Sequence, residues 1–148
     1  MRNLLNNTET AVVLASNAGT AAATAKGTIV DMQGFETATF IAVFGNVLDT
    51  AAVDVQVAQG DTNSTGAMVV SEAKVSFTAG ASDMDNRAVV LEVVNPGKRY
   101  LEIQVKVATA NAPISSIVCI KSNPSVVPVE QGTTVIDSAT FVTPEAAA

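Results

Sequence analysis

Apolar and polar residues alternate with a period of two in one short stretch of this chain after another. Leu101, Ile103, Val105 and Val107 alternate with Tyr100, Glu102, Gln104 and Lys106. Successive side chains on a strand point to opposite faces, so this stretch predicts a strand with one apolar and one polar face. Val53, Val55 and Val57 alternate with Asp54, Gln56 and Ala58 in the same way. Two stretches break the alternation. Ala38–Gly45 (ATFIAVFG) and Ala88–Leu91 are apolar on both faces, which predicts strands covered on both sides. Arg87–Val107 as a whole reads as a hairpin joined by Asn95-Pro96-Gly97-Lys98, with the first strand covered and the second half-exposed. Pro-Gly fixes one φ and frees the next, which suits a turn whose third residue has positive φ.

Further strands are predicted at Ala11–Ala15, Gly27–Met32, Ala67–Phe77 (one strand with a bulge, or two short ones) and Ile114–Lys121. Gln33-Gly34 reads as a turn. Gly60–Gly66 (GDTNSTG) and Ala79–Asn86 read as loops, and Gly19 with two threonines makes Ser16–Lys26 a loop as well. Strands about ten residues apart, separated by turn signals, predict an all-β chain. The expected architecture is an antiparallel β-sandwich, jelly-roll-like, with extended N- and C-terminal arms. Pattern alone leaves its strand order open. The sandwich is expected over residues 1–121, with 1–10 a polar N-terminal arm, and residues 122–148 form an extended C-terminal arm. Pro124 and Pro128 disfavour a central strand there.

Composition changes the picture mainly by what it removes. Charged residues make up 15% of the 148, against roughly 25% in ordinary soluble domains. Burial against copies or a partner would explain the shortage, and so would a Ser/Thr/Asn-rich exterior. The net charge is −6 and the eight Lys and Arg are scattered, which argues against nucleic acid as a partner. Histidine is absent, so triads and dyads that need it are excluded. One cysteine, Cys119, allows no internal disulfide and no Cys/His metal site, and its apolar run makes it a small core residue.

Carboxylates remain. Asp83 with Asp85, and Asp61 beside Asn63, lie in polar loops. A glycosidase needs two carboxylates facing across a cleft, and calcium needs roughly six to eight oxygens in a spaced loop that is not matched here. These acids therefore read as solvated residues that help turns form. No phosphate-binding glycine cluster opens a helix. No apolar run approaches the roughly 18 residues of a membrane span, and Ala11–Ala15 is too short for a signal peptide. The expectation is a protein that is not an enzyme, has no cofactor, metal or membrane, and stays in the cell that makes it until that cell opens.

What is left is apolar side chains outside the main strand series. Leu4 and Leu5 lie in the N-terminal arm, and Val126, Val127, Val135, Ile136, Phe141 and Val142 lie in the C-terminal one. They are the candidate interface residues. The arm either completes an edge of its own sandwich or pairs with a neighbouring chain.

Four stretches resemble small virion structural proteins of tailed bacteriophages, of the capsid decoration (cement) type. They are the opening MRNLLNN, Gly34-Phe35-Glu36-Thr37 before a β-branched run, Val55-Gln56-Val57 leading into GDTNSTG, and Lys98-Arg99-Tyr100-Leu101-Glu102-Ile103. The resemblance runs in order over residues 1–121 and transfers no functional residue; the segment Ser122–Ala148 departs from it. It implies a β-sandwich or jelly roll on the capsid surface of a virion, made in the bacterial host cytoplasm. The implied partner is the major capsid protein, and the implied state is a homo-oligomer, with a trimer favoured. A tail or head–tail connector component is the alternative, and a carbohydrate- or receptor-binding module a second one. The absence of Trp and the single Tyr weaken the last, since sugar platforms are usually aromatic.

Overall fold

The structure, a computed structural model, describes residues 3–141. A single helical turn, α1 (Leu4–Asn7), precedes nine strands. These are β1 (Glu9–Leu14), β2 (Thr24–Lys26), β3 (Val30–Asp31), β4 (Phe35–Phe44), β5 (Ala52–Gly60), β6 (Val69–Thr78), β7 (Ala88–Val94), β8 (Tyr100–Ala108) and β9 (Ile114–Pro124). Asn3 caps α1 by accepting a hydrogen bond from the Asn6 N–H.

Two antiparallel sheets form, in the orders β1-β9-β4-β7 and β2-β8-β5-β6, with β3 continuing along β8 beyond β2. The pairings are nested. β5 pairs with β6, β4 with β7, β2 and β3 with β8, and β1 with β9. The chain is thus one long antiparallel ribbon, turning at the loop before β6 and rolled so that successive pairs alternate between sheets. That is a jelly roll. The polar loop Gly60–Gly66 marks the apex of the ribbon.

Nesting corrects the expected hairpin. β7 and β8 do not pair with each other: β7 bonds to β4 in one sheet and β8 to β5 in the other. The segment Asn95–Arg99 crosses between sheets. Its positive φ falls at Asn95, not after the proline, and the Asn95 N–H donates to the Glu36 carbonyl at 2.7 Å. Pro-Gly here serves a crossover instead of a tight turn.

The exposures of the two strands are reversed as well. β7 is an edge strand and largely exposed. β8 is central, and the middle of its polar side is buried too, with Glu102 at 1% exposure and Gln104 at 7%. That side survives burial because its groups bond one another. The Gln56 Nε2 donates to the Gln104 Oε1 at 3.1 Å, and the Gln104 Nε2 donates to the Glu102 Oε1 at 2.8 Å.

Between the sheets lies a core of Phe40, Phe44, Val53, Val55, Val57, Leu101, Ile103, Val105, Ile117 and Cys119, among others. Phe44 meets Phe77 edge to face, centroids 5.5 Å apart. Cys119 faces this core as expected, and burial pushes its thiol up to about 12.

A synthetic peptide spanning Arg87–Val107 is expected to remain unordered in water, since its two strands take their partners from elsewhere. Cross-strand nuclear Overhauser effects between its halves would contradict the strand assignment.

Candidate protein-interaction surface

β1 borders its sheet, so every second N–H and C=O along its outer side lacks a strand partner. The C-terminal arm supplies those partners with side chains. After Pro124 the chain leaves β9 without regular structure and doubles back across β1. The Gln131 Oε1 accepts from the Thr10 N–H at 2.9 Å, and its Nε2 donates to the carbonyls of Thr8 at 2.7 Å and Leu5 at 3.2 Å. Two residues further along β1, the Val12 N–H donates to the Thr134 Oγ1 at 3.2 Å. A carboxamide carries the same donor and acceptor as a peptide group, so Gln131 stands in for a neighbouring strand. The Val129 N–H completes the seam on the Asn6 carbonyl.

Beneath this seam Lys121 is buried beside Glu9, at 3.3 Å, and over the Phe35 ring at 4.6 Å. Its ammonium also donates to the Asp31 carbonyl. β1 is therefore held by β9, by an ion pair and by the arm.

Gln131 and Thr134 engage the strand edge, and most of the arm's apolar side chains are left outside. Val126 and Val127 are exposed, Ile136 fully so and Phe141 at 85%. Leu4 is exposed as well, while Leu5 and Val135 are half-buried and share one shallow groove with Ile136. Val127 lies apart, beside Asn7 and Thr8. Val142 falls outside the described residues. Of the described candidate interface residues, the structure brings Leu5, Val135 and Ile136 together and leaves the others apart.

A larger apolar surface went unnoticed in the sequence. On the outer face of the β1-β9-β4-β7 sheet, Val12, Val118, Ile41 and Val90 stand in one row across all four strands. Ile120 and Thr39 lie in the next row, and Val43 and Ala88 on the other side. Val90 and Val94 are each 59% exposed. Glu92 is the single charged side chain in these rows, and it accepts a hydrogen bond from the Thr39 hydroxyl at 3.1 Å. The opposite outer face is polar, with Lys106, Asp54 and Ser76 in one row and Lys26, Gln104, Gln56 and Lys74 in another. The available signal was the run Ala38–Gly45, apolar on both sides. A central strand of a two-layer sandwich has only one core to face, so β4 places Ala38, Phe40, Ala42 and Phe44 inward and Ile41 and Val43 on the outer surface.

The loop acids are engaged locally. The Asp83 carboxylate accepts from the Gly80 N–H and that of Asp85 from the Val47 N–H, both at 2.8 Å, and Asp61 pairs with Lys98 at 2.7 Å. Among the described residues no group of three His, Cys, Asp or Glu is placed to hold a metal, and no helix is long and apolar enough to cross a membrane. At the crossover end, Arg99 donates twice to Asp31 at 2.9 Å and once to the Gln33 Oε1 at 2.6 Å. That hydrogen bonding holds the Asp31 carboxyl below its ordinary value against the opposing effect of burial, with help from the Gln33 N–H and the charges of Arg99 and Lys121.

No family model and no curated protein matches this chain. Among solved structures, the crystal structure of the PBSX exported protein XepA is similar, with a TM-score of 0.47 and 16% sequence identity. The match takes in 99% of this chain and 46% of that one, so the chain spans less than half the length of that protein.

Gln131→Ala removes a bridge that three backbone groups use, and is expected to cost about 1–3 kcal/mol in urea unfolding. Gln131→Glu, which sets a carboxylate oxygen against the carbonyls of Thr8 and Leu5, should cost at least as much at neutral pH. An unchanged midpoint for Gln131→Ala would show that the seam does not hold β1.

Asp31 titrates below its unfolded value, so its stabilising effect is present above about pH 4 and is lost as pH falls through the folded value. Both partners are nearly half exposed, which keeps the effect small. Asp31→Asn is expected to lose about 0.5 kcal/mol at neutral pH and progressively less down the acid limb of a urea-stability profile.

Proposed function

We propose that this protein is a non-enzymatic virion structural protein of a tailed bacteriophage that binds the outside of the capsid and bridges neighbouring major capsid subunits. The carrying observation is the outer face of the β1-β9-β4-β7 sheet, with an apolar row across all four strands, next to an arm with its own exposed apolar side chains. An apolar patch of this size is often functional, and it suits assembly, among copies of the protein or onto a capsid. The local use of the loop acids and the lack of histidine favour binding over chemistry. The resemblance of four stretches to capsid decoration proteins supplies the identity of the partner, and the jelly roll, a fold used in viral capsids, is compatible with it by analogy.

A decoration protein acts by linkage. It binds the assembled shell better than free subunits and so shifts the equilibrium toward the shell. Weak contacts suffice when many copies engage one lattice, and a homo-oligomer, with a trimer favoured, multiplies them further.

The test is cosedimentation of the purified protein with expanded heads of the phage that carries its gene, followed by electron cryomicroscopy. Saturable binding to expanded heads, density on their outer surface and a raised melting temperature of the heads are expected. Density only at the tail or portal vertex would replace this reading with a tail or connector role.

A further inference from the structure

We propose that the outer face of the β1-β9-β4-β7 sheet is covered by the C-terminal arm of a second copy of this chain. This deepens the assembly part of the virion reading, and it is tested on the purified protein alone.

Two observations lead to it. The first is β4, whose sequence is apolar on both faces although the fold gives it one core. Strands that are apolar on both sides are ordinarily covered on both sides. Ile41 and Val43, flanked by Val118 and Ile120 of β9 and by Val90 of β7, thus form a surface suited to a second layer. The second is the arm. It uses Gln131 and Thr134 to grip β1 at the border of this face, and then presents Ile136 and Phe141 to solvent.

The same chain therefore carries an uncovered apolar face and an uncovered apolar strap. Neither selects a charged partner. The face has one carboxylate, already bonded to Thr39, and the acids of the arm, Glu130 and Asp137, flank its apolar residues.

Area decides the form of the contact. Four strands about 4.8 Å apart and three rows about 7 Å apart make a face of roughly 400 Å², so one arm on one face buries on the order of 800 Å² in total. That is below the roughly 1,200 Å² at which stable interfaces begin. Arm and face are different patches, so the contact is heterologous and can close into a ring. When the ring closes with two copies, both contacts fall between the same pair and total on the order of 1,600 Å², within the ordinary range, whereas in a larger ring each interface stays at about 800 Å².

Complementation of two variants tests this by light scattering on a sizing column. Val90→Lys spoils the face, and Ile136→Asp with Phe141→Asp spoils the arm; all three positions are exposed, so folding is retained, as circular dichroism checks. The wild type is expected to run at a multiple of 15.1 kDa and each variant at 15.1 kDa. Mixed in equal amounts at concentrations far above those at which the wild type assembles, the variants should form a species of twice that mass, since the pair keeps one of the two contacts. A monomeric wild type, variants that still assemble, or an unassembled mixture would each overturn the proposal. Assembly retained by the arm variant alone points to a face-to-face contact, and assembly retained by both variants to another interface. None of them bears on cosedimentation with heads, where the capsid reading stands or falls.

Discussion

A strand at the border of a sheet leaves half of its backbone N–H and C=O groups without a partner, and a two-layer sandwich has four such borders. This chain treats each one differently. On the polar sheet, one border is broken into very short pieces, β2 and β3. The other, β6, is interrupted by a bulge between Val70 and Lys74 and carries Glu72 and Lys74. On the apolar sheet, β1 is closed by the side chains of Gln131 and Thr134. β7 alone stays open, with Glu92 its one charge. The jelly roll depends on the first three, because an unprotected edge competes with correct nesting by pairing with other chains.

The contrast between the two outer faces follows from the same arithmetic of layers. Each sheet has one side on the core. The β8 and β5 sheet fills its other side with Lys, Asp and a chain of amides ending on Glu102, and that polar side is hydrogen-bonded. The β4 and β9 sheet carries Ile41, Val43, Val118 and Ile120 on its other side, with Thr39 and Ser116 among them. A low fraction of charged residues is thus not spread evenly over the surface. It is concentrated as an absence on one face. This gives physical content to an interaction surface, and it directs attention to the flat sheet as much as to the termini.

The C-terminal arm has two roles that its composition kept mixed together. Its polar residues complete the chain's own edge, and its apolar residues remain available. Closing an own edge and reaching a neighbour were alternatives at the level of sequence. In the structure the first is realised by Gln131 and Thr134 and leaves Ile136 and Phe141 free for the second.

The sequence by itself determined that the chain is all-β, where most strands and loops lie, that Cys119 is a core residue, and that histidine-dependent chemistry is excluded. Those conclusions rest on period-two alternation, turn residues and composition, which are local properties. Strand partners are not local. Arg87–Val107 reads as a hairpin because its two strands are adjacent in the chain, yet nesting sends β7 to β4 and β8 to β5. The same nesting decided which of them is buried, since exposure depends on position within a sheet and not on a strand's own residues. Only the tertiary structure could align Val12, Val118, Ile41 and Val90 into one row, because those residues come from four strands far apart in sequence and meet through register alone.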